Sequence, residues 1–296
     1  MEHLIEEFKK YLKYQKNYSD YTISNYIKDI TEYNSFLVGN KFKYNNVDYD
    51  DCIKYLNFLN DKKLSKSTVS RKLSSLRTFY KYLVLNNKVD NNPFILVTSP
   101  KKEKRIPKFI NYNNIEEIFN IPDLNTKQGQ REKIILEILY SSGVRVSELV
   151  NIKLKDIDFN NKSIFIFGKG KKERIVSFGD YAKDMLNMYI NDGRKKLLGS
   201  IESDYLIVGD KKESLTTRRV EQIIDDIIKR TSIKLNITPH MFRHTFATHL
   251  LDNGCDLLAV QELLGHESLS STEIYTHVSN EHLREVFLKC HPRNIK

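Results

Sequence analysis

The segment TPHMFRHTFATHLL, beginning at Thr238, holds the densest set of groups in the chain that can act on an anion. Thr238 suits the cap of a helix and Pro239 its first position. His240 then falls in the first turn, with Arg243 one turn along the same face, beside unpaired backbone N–H groups and the positive end of the helix dipole. This is a phosphate site in outline. His240 and His244 also have the i,i+4 spacing of a zinc-binding helix, but H-E-x-x-H needs a glutamate where Met241 stands. Arg243 would also set a cation beside the metal. No metal site is expected, and His244 and His249 read as packing residues.

Other groups gain meaning as a set. Arg145, in SSGVRVSEL, can pair with Glu148 one turn on, or grip two phosphate oxygens with its planar fork. Lys169 lies between Gly168 and Gly170, either as a solvated turn residue or as a mobile ammonium able to swing into a site. In LLGHESLSSTEIYTHVS, Gly265 ends a helix and presents His266, and Ser270 to Thr272 can cap a short helix carrying Tyr275. Tyr275 is one of 17 tyrosines and means little alone.

The elements that must position these groups are mostly helical. Apolar residues recur at helical spacing in LIEEFKKYLKYQ, after Ser19 or Asp20, through CIKYLNFLN, and from about Ser67 onward. The fourth of these helices has a core face of Val69, Leu73, Leu76, Phe79, Tyr80 and Leu83. Lys66, Arg71, Lys72 and Arg77 lie among small serines, a face fit for the DNA major groove or for solvent alone. Residues 99–108 read as a basic linker, broken by Pro100 and Pro107 around KKEKR. Beyond it, SIFIF and RIVSF form a hairpin through GKGKKE, and helices resume from Tyr181, with stops at Gly193, Gly254 and Gly265. The expected fold is mainly α with a small β-sheet in the second domain: domain 1–98, linker 99–108, domain 109–296.

Composition narrows the partner. Among 296 residues, 48 Lys and Arg outweigh 38 Asp and Glu, a formal net charge of +10 that favours a polyanion. Hydrophobic residues make up 40%, enough for sizeable cores. Cys52, Cys255 and Cys290 are too sparse and scattered for a disulfide framework or a cysteine-based zinc site. No apolar run has the length to span a bilayer, and the acidic N-terminus is unlike a signal peptide, so a cytoplasmic protein away from membranes is expected.

The chain resembles the tyrosine recombinases, the phage-integrase type, in their Xer-like branch. The likeness runs from S-x-x-T-x-x-x-Y near Ser19 through the helix from Ser67, the basic linker and LLGHESLSSTEIYTHVS to the closing His291–Pro292–Arg293. The family's active-site positions fall on Arg145, Lys169, His240, Arg243, His266 and Tyr275. The resemblance implies a two-domain DNA clamp, a helical core-binding domain followed by a catalytic domain, and strand cleavage through a 3′-phosphotyrosyl link and a Holliday junction. It implies Lys169 as general acid, with His266 or His240 receiving or orienting the tyrosine proton. Glu148 is expected to orient Arg145 or a neighbouring group. No cofactor is expected, because the phosphotyrosine retains the bond energy and no G-x-x-x-x-G-K-[ST] loop is present.

The implied partners are double-stranded DNA and further protomers, a homo-tetramer or a hetero-tetramer with a paralogue. The amphipathic C-terminal segment is expected to dock on a neighbour. Xer-type dimer resolution is the leading role, with integration of a mobile element as the alternative of the same chemistry. A non-cleaving DNA-binding accessory protein and a type IB topoisomerase are the rivals from other classes.

Overall fold

Capping side chains set where the first helices begin. The chain's structure, a computed structural model, describes residues 1–100, 108–168, 173–210, 213–265 and 280–294. It divides into two compact units, Met1–Arg105 and Ile106–Lys296. In the first, α1 (Glu2–Lys10) runs on through a π-helical turn, Tyr11–Gln15, followed by α2 (Asp20–Gly39), α3 (Tyr49–Asp61) and α4 (Lys66–Leu85). Ser19, Asp48 and Ser65 each accept a backbone N–H from the first turn of the helix that follows.

The first core is aromatic. Tyr33, Tyr55, Phe79, Tyr80 and Phe94 are all fully or almost fully buried, and the Tyr33 and Tyr80 hydroxyls meet at 3.1 Å. All the apolar positions expected to face the core from α4 do so. Of the basic positions weighed for DNA, Arg71, Lys72 and Arg77 have partners within the unit. Lys72 is only 4% exposed and pairs with Asp29 at 3.2 Å and Glu32 at 2.7 Å. Arg71 is half-exposed but pairs with the same Asp29, and buried Ser75 donates to it as well. Arg77 turns inward and donates to the carbonyls of Phe94 and Val97, pinning the segment after α4. The physical reason lies on α2: buried Asp29 must be neutralised, and α4 supplies the cations. Lys66, at the start of α4, is exposed.

In the second unit, α5 (Tyr112–Asn120) precedes α6 (Lys127–Ser142), a helix buried on almost every side from Ile134 onward. Then come α7 (Val146–Leu149) and an antiparallel sheet of β1 (Ile157–Asp158), β2 (Ser163–Phe167) and β3 (Glu173–Ser177), in that order. The expected hairpin is therefore present, with Ile164 opposite Val176 and Ile166 opposite Arg174. Helices α8 (Asp180–Met188) and α9 (Arg194–Leu198) are joined by a π-helical turn, Tyr189–Gly193. Gly193 is thus no stop. It lies against Gln130, where a Cβ would come within 2.5 Å of Oε1.

The unit closes with α10 (Thr217–Lys229), α11 (Pro239–Asp252), α12 (Leu257–Leu264) and α13 (Asn280–Cys290). Within this chain the C-terminal segment packs on its own unit. Phe287 and Cys290 of α13 are buried with Phe246, Leu250, Val260 and Leu263 of the same unit. Beyond α13, His291 faces the Tyr140 carbonyl at 3.1 Å, and Arg293 pairs with fully buried Glu137. An apolar face and an uncompensated carboxylate both find their partners within the chain. Among the described residues, no helix is long and apolar enough to cross a membrane.

Candidate active site

Two helix ends and one helix start converge on an arginine cluster. α6 ends at Gly143, whose left-handed backbone (φ +59°) turns the chain sharply toward Arg145. Arg145 then caps α7. Its backbone N–H donates to Glu148 Oε2 at 2.8 Å and its Nη1 to Oε1 at 2.9 Å. The pairing expected from the sequence is present, yet the Arg145 side chain remains 41% exposed. A planar guanidinium has five donors, so this contact leaves others for a ligand.

Arg243 reaches the same place from α11. It is buried, and its Nη1 donates to the Gly143 carbonyl at 2.5 Å and its Nη2 to the Leu264 carbonyl at 2.6 Å. One guanidinium therefore meets the carbonyl ends of both α6 and α12, where helix dipoles favour a cation. His240 is exposed in the first turn of α11. Thr238 caps this helix without a side-chain bond, and Pro239 follows as expected. His244 is half-buried, whereas His249 is fully buried and lies 2.8 Å from the Tyr140 hydroxyl, a packing role as expected.

Arg174 is the residue that sequence reasoning missed. From β3 it grips Glu148 with two parallel bonds, Nη1 to Oε1 at 2.9 Å and Nη2 to Oε2 at 2.8 Å. The Glu148 carboxylate thus serves two arginines. Burial alone would raise its pKa, but the bonds from Arg174 and then from the Arg145 backbone hold it down to about 2. The pKa of Arg243 is lowered too, to about 10, first by burial and then by repulsion from Arg145 and Arg174. The shift reflects a buried guanidinium close to two further cations. The signal that could have found Arg174 is strand alternation. It shares a face with buried Val176, and a charge pointing inward from a strand needs a partner.

Lys169, His266 and Tyr275 lie outside the described residues. The segments leading to them are described: β2 and β3 flank the lysine turn, and α12 ends at Gly265, immediately before His266.

Comparison with known proteins decides the family. Residues 108–282 match the phage integrase family model, and residues 5–87 match the N-terminal SAM-like domain model of phage integrases. The chain is 47% identical to the tyrosine recombinase XerC of Anoxybacillus flavithermus over 97% of its own length and 96% of that protein's. It belongs to the tyrosine recombinase family. A second family member, XerC of Bacillus subtilis, is 44% identical over 100% of this chain and 98% of its own. Among solved structures, the XerA recombinase is 31% identical, with a TM-score of 0.50 over 99% of both chains. A lambda integrase tetramer bound to a Holliday junction matches at 17% identity with a TM-score of 0.71, over 91% of this chain and 75% of that one, and shares the fold. The protein is a Xer-like, tyrosine-type site-specific recombinase.

Proposed function

We propose that this recombinase cleaves and rejoins double-stranded DNA through a 3′-phosphotyrosyl link to Tyr275 and a Holliday junction. The observation that carries this is the cluster of Arg145, Arg174 and Arg243 around the single Glu148 carboxylate. A phosphodiester gains charge on its nonbridging oxygens as it is attacked, and preorganised donors aimed there lower the barrier. Arg145 and Arg243 serve as that clamp, with His240 donating from the first turn of α11. Lys169 protonates the departing 5′-oxygen, and His266 assists. Tyr275 needs such surroundings, because a phenol with a pKa of about 10 is mostly protonated at neutral pH.

No metal or nucleotide enters this scheme, since guanidinium charge acts on the phosphate and the covalent link stores the bond energy. The domains act as a clamp: residues 1–98 hold the core site, 99–108 form the strap and 109–296 carry the chemistry. The working assembly is a tetramer on DNA in the cytoplasm, of this chain alone or with a paralogue. Full-length identity of 44–47% to proteins named XerC favours resolution of chromosome or plasmid dimers over integration of a mobile element.

A plasmid carrying two directly repeated copies of the target site separates the rivals. The site can be recovered from DNA fragments captured on the protein. Incubation with the recombinase should yield two circles. Relaxation without resolution would instead point to topoisomerase action, and binding without either to an accessory protein.

A further inference from the structure

We infer that Arg174 is a positioning residue for cleavage, holding Glu148 so that Glu148 in turn fixes the Arg145 guanidinium. This rests on reading the arginine cluster as the phosphate site. The geometry is specific. Glu148 offers two oxygens, and each accepts one bond from Arg174 and one from Arg145. Arg174 lies against the carboxylate in the parallel two-bond mode that fixes both distance and plane. With Arg174 in place, Glu148 can meet the Arg145 backbone N–H and its guanidinium together. Without it, a carboxylate with a 5% exposed side chain would keep only the two Arg145 contacts and lose half of the bonds that fix its plane.

Arg174 also joins segments that are distant in sequence. It stands opposite Ile166 in the β2–β3 pair, binds Glu148 of α7, and abuts the end of α12, where a Cβ on Gly265 would fall 3.0 Å from its Cδ. Among the described residues its buried Nε has no partner. A residue serving only to hold the hairpin to the domain could be replaced by any group filling the same space. A two-bond grip on the carboxylate that orients Arg145 demands a guanidinium.

The test uses the full-length chain and a nicked duplex that traps the covalent product. Arg174→Lys keeps the charge and the strand but can no longer grip both oxygens in one plane. We expect its thermal midpoint and DNA affinity to stay close to wild type while single-turnover cleavage slows about 10- to 100-fold, the scale of a misplaced reacting group. Glu148→Gln should slow cleavage similarly, and the Arg174→Lys/Glu148→Gln pair should be no slower than the slower single variant, since both act through one contact. Cleavage by Arg174→Lys at the wild-type rate would overturn the inference, as would losses that multiply in the double variant. Arg174→Gln is the second variant should the lysine form not fold; it is expected to lower the thermal midpoint, as the Glu148 carboxylate loses a cation, while its folded protein cleaves at least as slowly. Arg145→Ala, run alongside, isolates the underlying reading: if it cleaves normally, the phosphate site itself is wrong, whatever Arg174 does.

Discussion

Arg243 donates to the carbonyl oxygen of Gly143 at 2.5 Å, two positions before Arg145 in the chain. The two arginines read from the sequence as a phosphate clamp are thus joined through the backbone turn that presents one of them. Gly143 can make that turn because it has no side chain: its φ is +59°, and a Cβ would come within 2.5 Å of the Phe246 ring.

Replacing this glycine should therefore damage both stability and chemistry. Gly143→Ala is expected to destabilise the second unit by about 1–3 kcal/mol through overpacking and left-handed strain. Cleavage should slow as Arg145 moves. Thermal unfolding and single-turnover cleavage of the same preparation check the two effects together.

Arg243→Lys should separate binding from chemistry. An ammonium cannot bond the Gly143 and Leu264 carbonyls and a phosphate with the fork of a guanidinium. Cleavage is expected to fall about 10²- to 10³-fold, as when a preorganised oxyanion donor is lost, with DNA affinity changed only a few-fold. Filter binding and covalent trapping on one duplex measure both.

In the first unit the buried ion cluster predicts stability effects where a DNA-facing helix would predict binding effects. Asp29→Ala leaves buried Lys72 with Glu32 alone and takes the shared acceptor from Arg71 and Ser75, and should cost about 1–3 kcal/mol. Lys72→Met should leave the slope of log affinity against log salt unchanged. A slope smaller by about one would instead place Lys72 on a phosphate.

Acid should loosen the C-terminal anchor. His291 is fully buried, and burial lowers its pKa from 6.5 to about 3, so it is neutral when folded. Below pH 6.5 the unfolded chain binds a proton that the folded chain does not, and stability falls as pH drops from 6.5 toward 3. His291→Gln retains a donor for the Tyr140 carbonyl, so its thermal midpoint should decline less steeply with acid over that window.

The elements were largely legible because their signals are local. Ser19 and Pro239 mark helix starts, Gly143 and Gly265 mark ends, and the shift to alternation in SIFIF and RIVSF marks the hairpin. The pairing of Arg145 with Glu148 was legible for the same reason, being three residues apart on one short helix. What escaped depends on contacts across the chain. Asp29 and Lys72 are forty-three residues apart, so their pairing has no local signal in the sequence. Arg174 was hidden in a basic run, and strand alternation with Val176 is the one local signal that it points inward. The pairing of Arg293 with buried Glu137 likewise spans 156 positions.

The central claim is that Tyr275 becomes covalently attached to DNA. The most direct measurement mixes the purified protein with nicked duplex fragments, denatures in detergent, and maps any attached nucleotide by peptide mass, alongside Tyr275→Phe. The account predicts an adduct on the Tyr275 peptide with the wild type and none with Tyr275→Phe, although the variant still binds DNA. An adduct that survives in Tyr275→Phe, or one mapped to another residue, would contradict it.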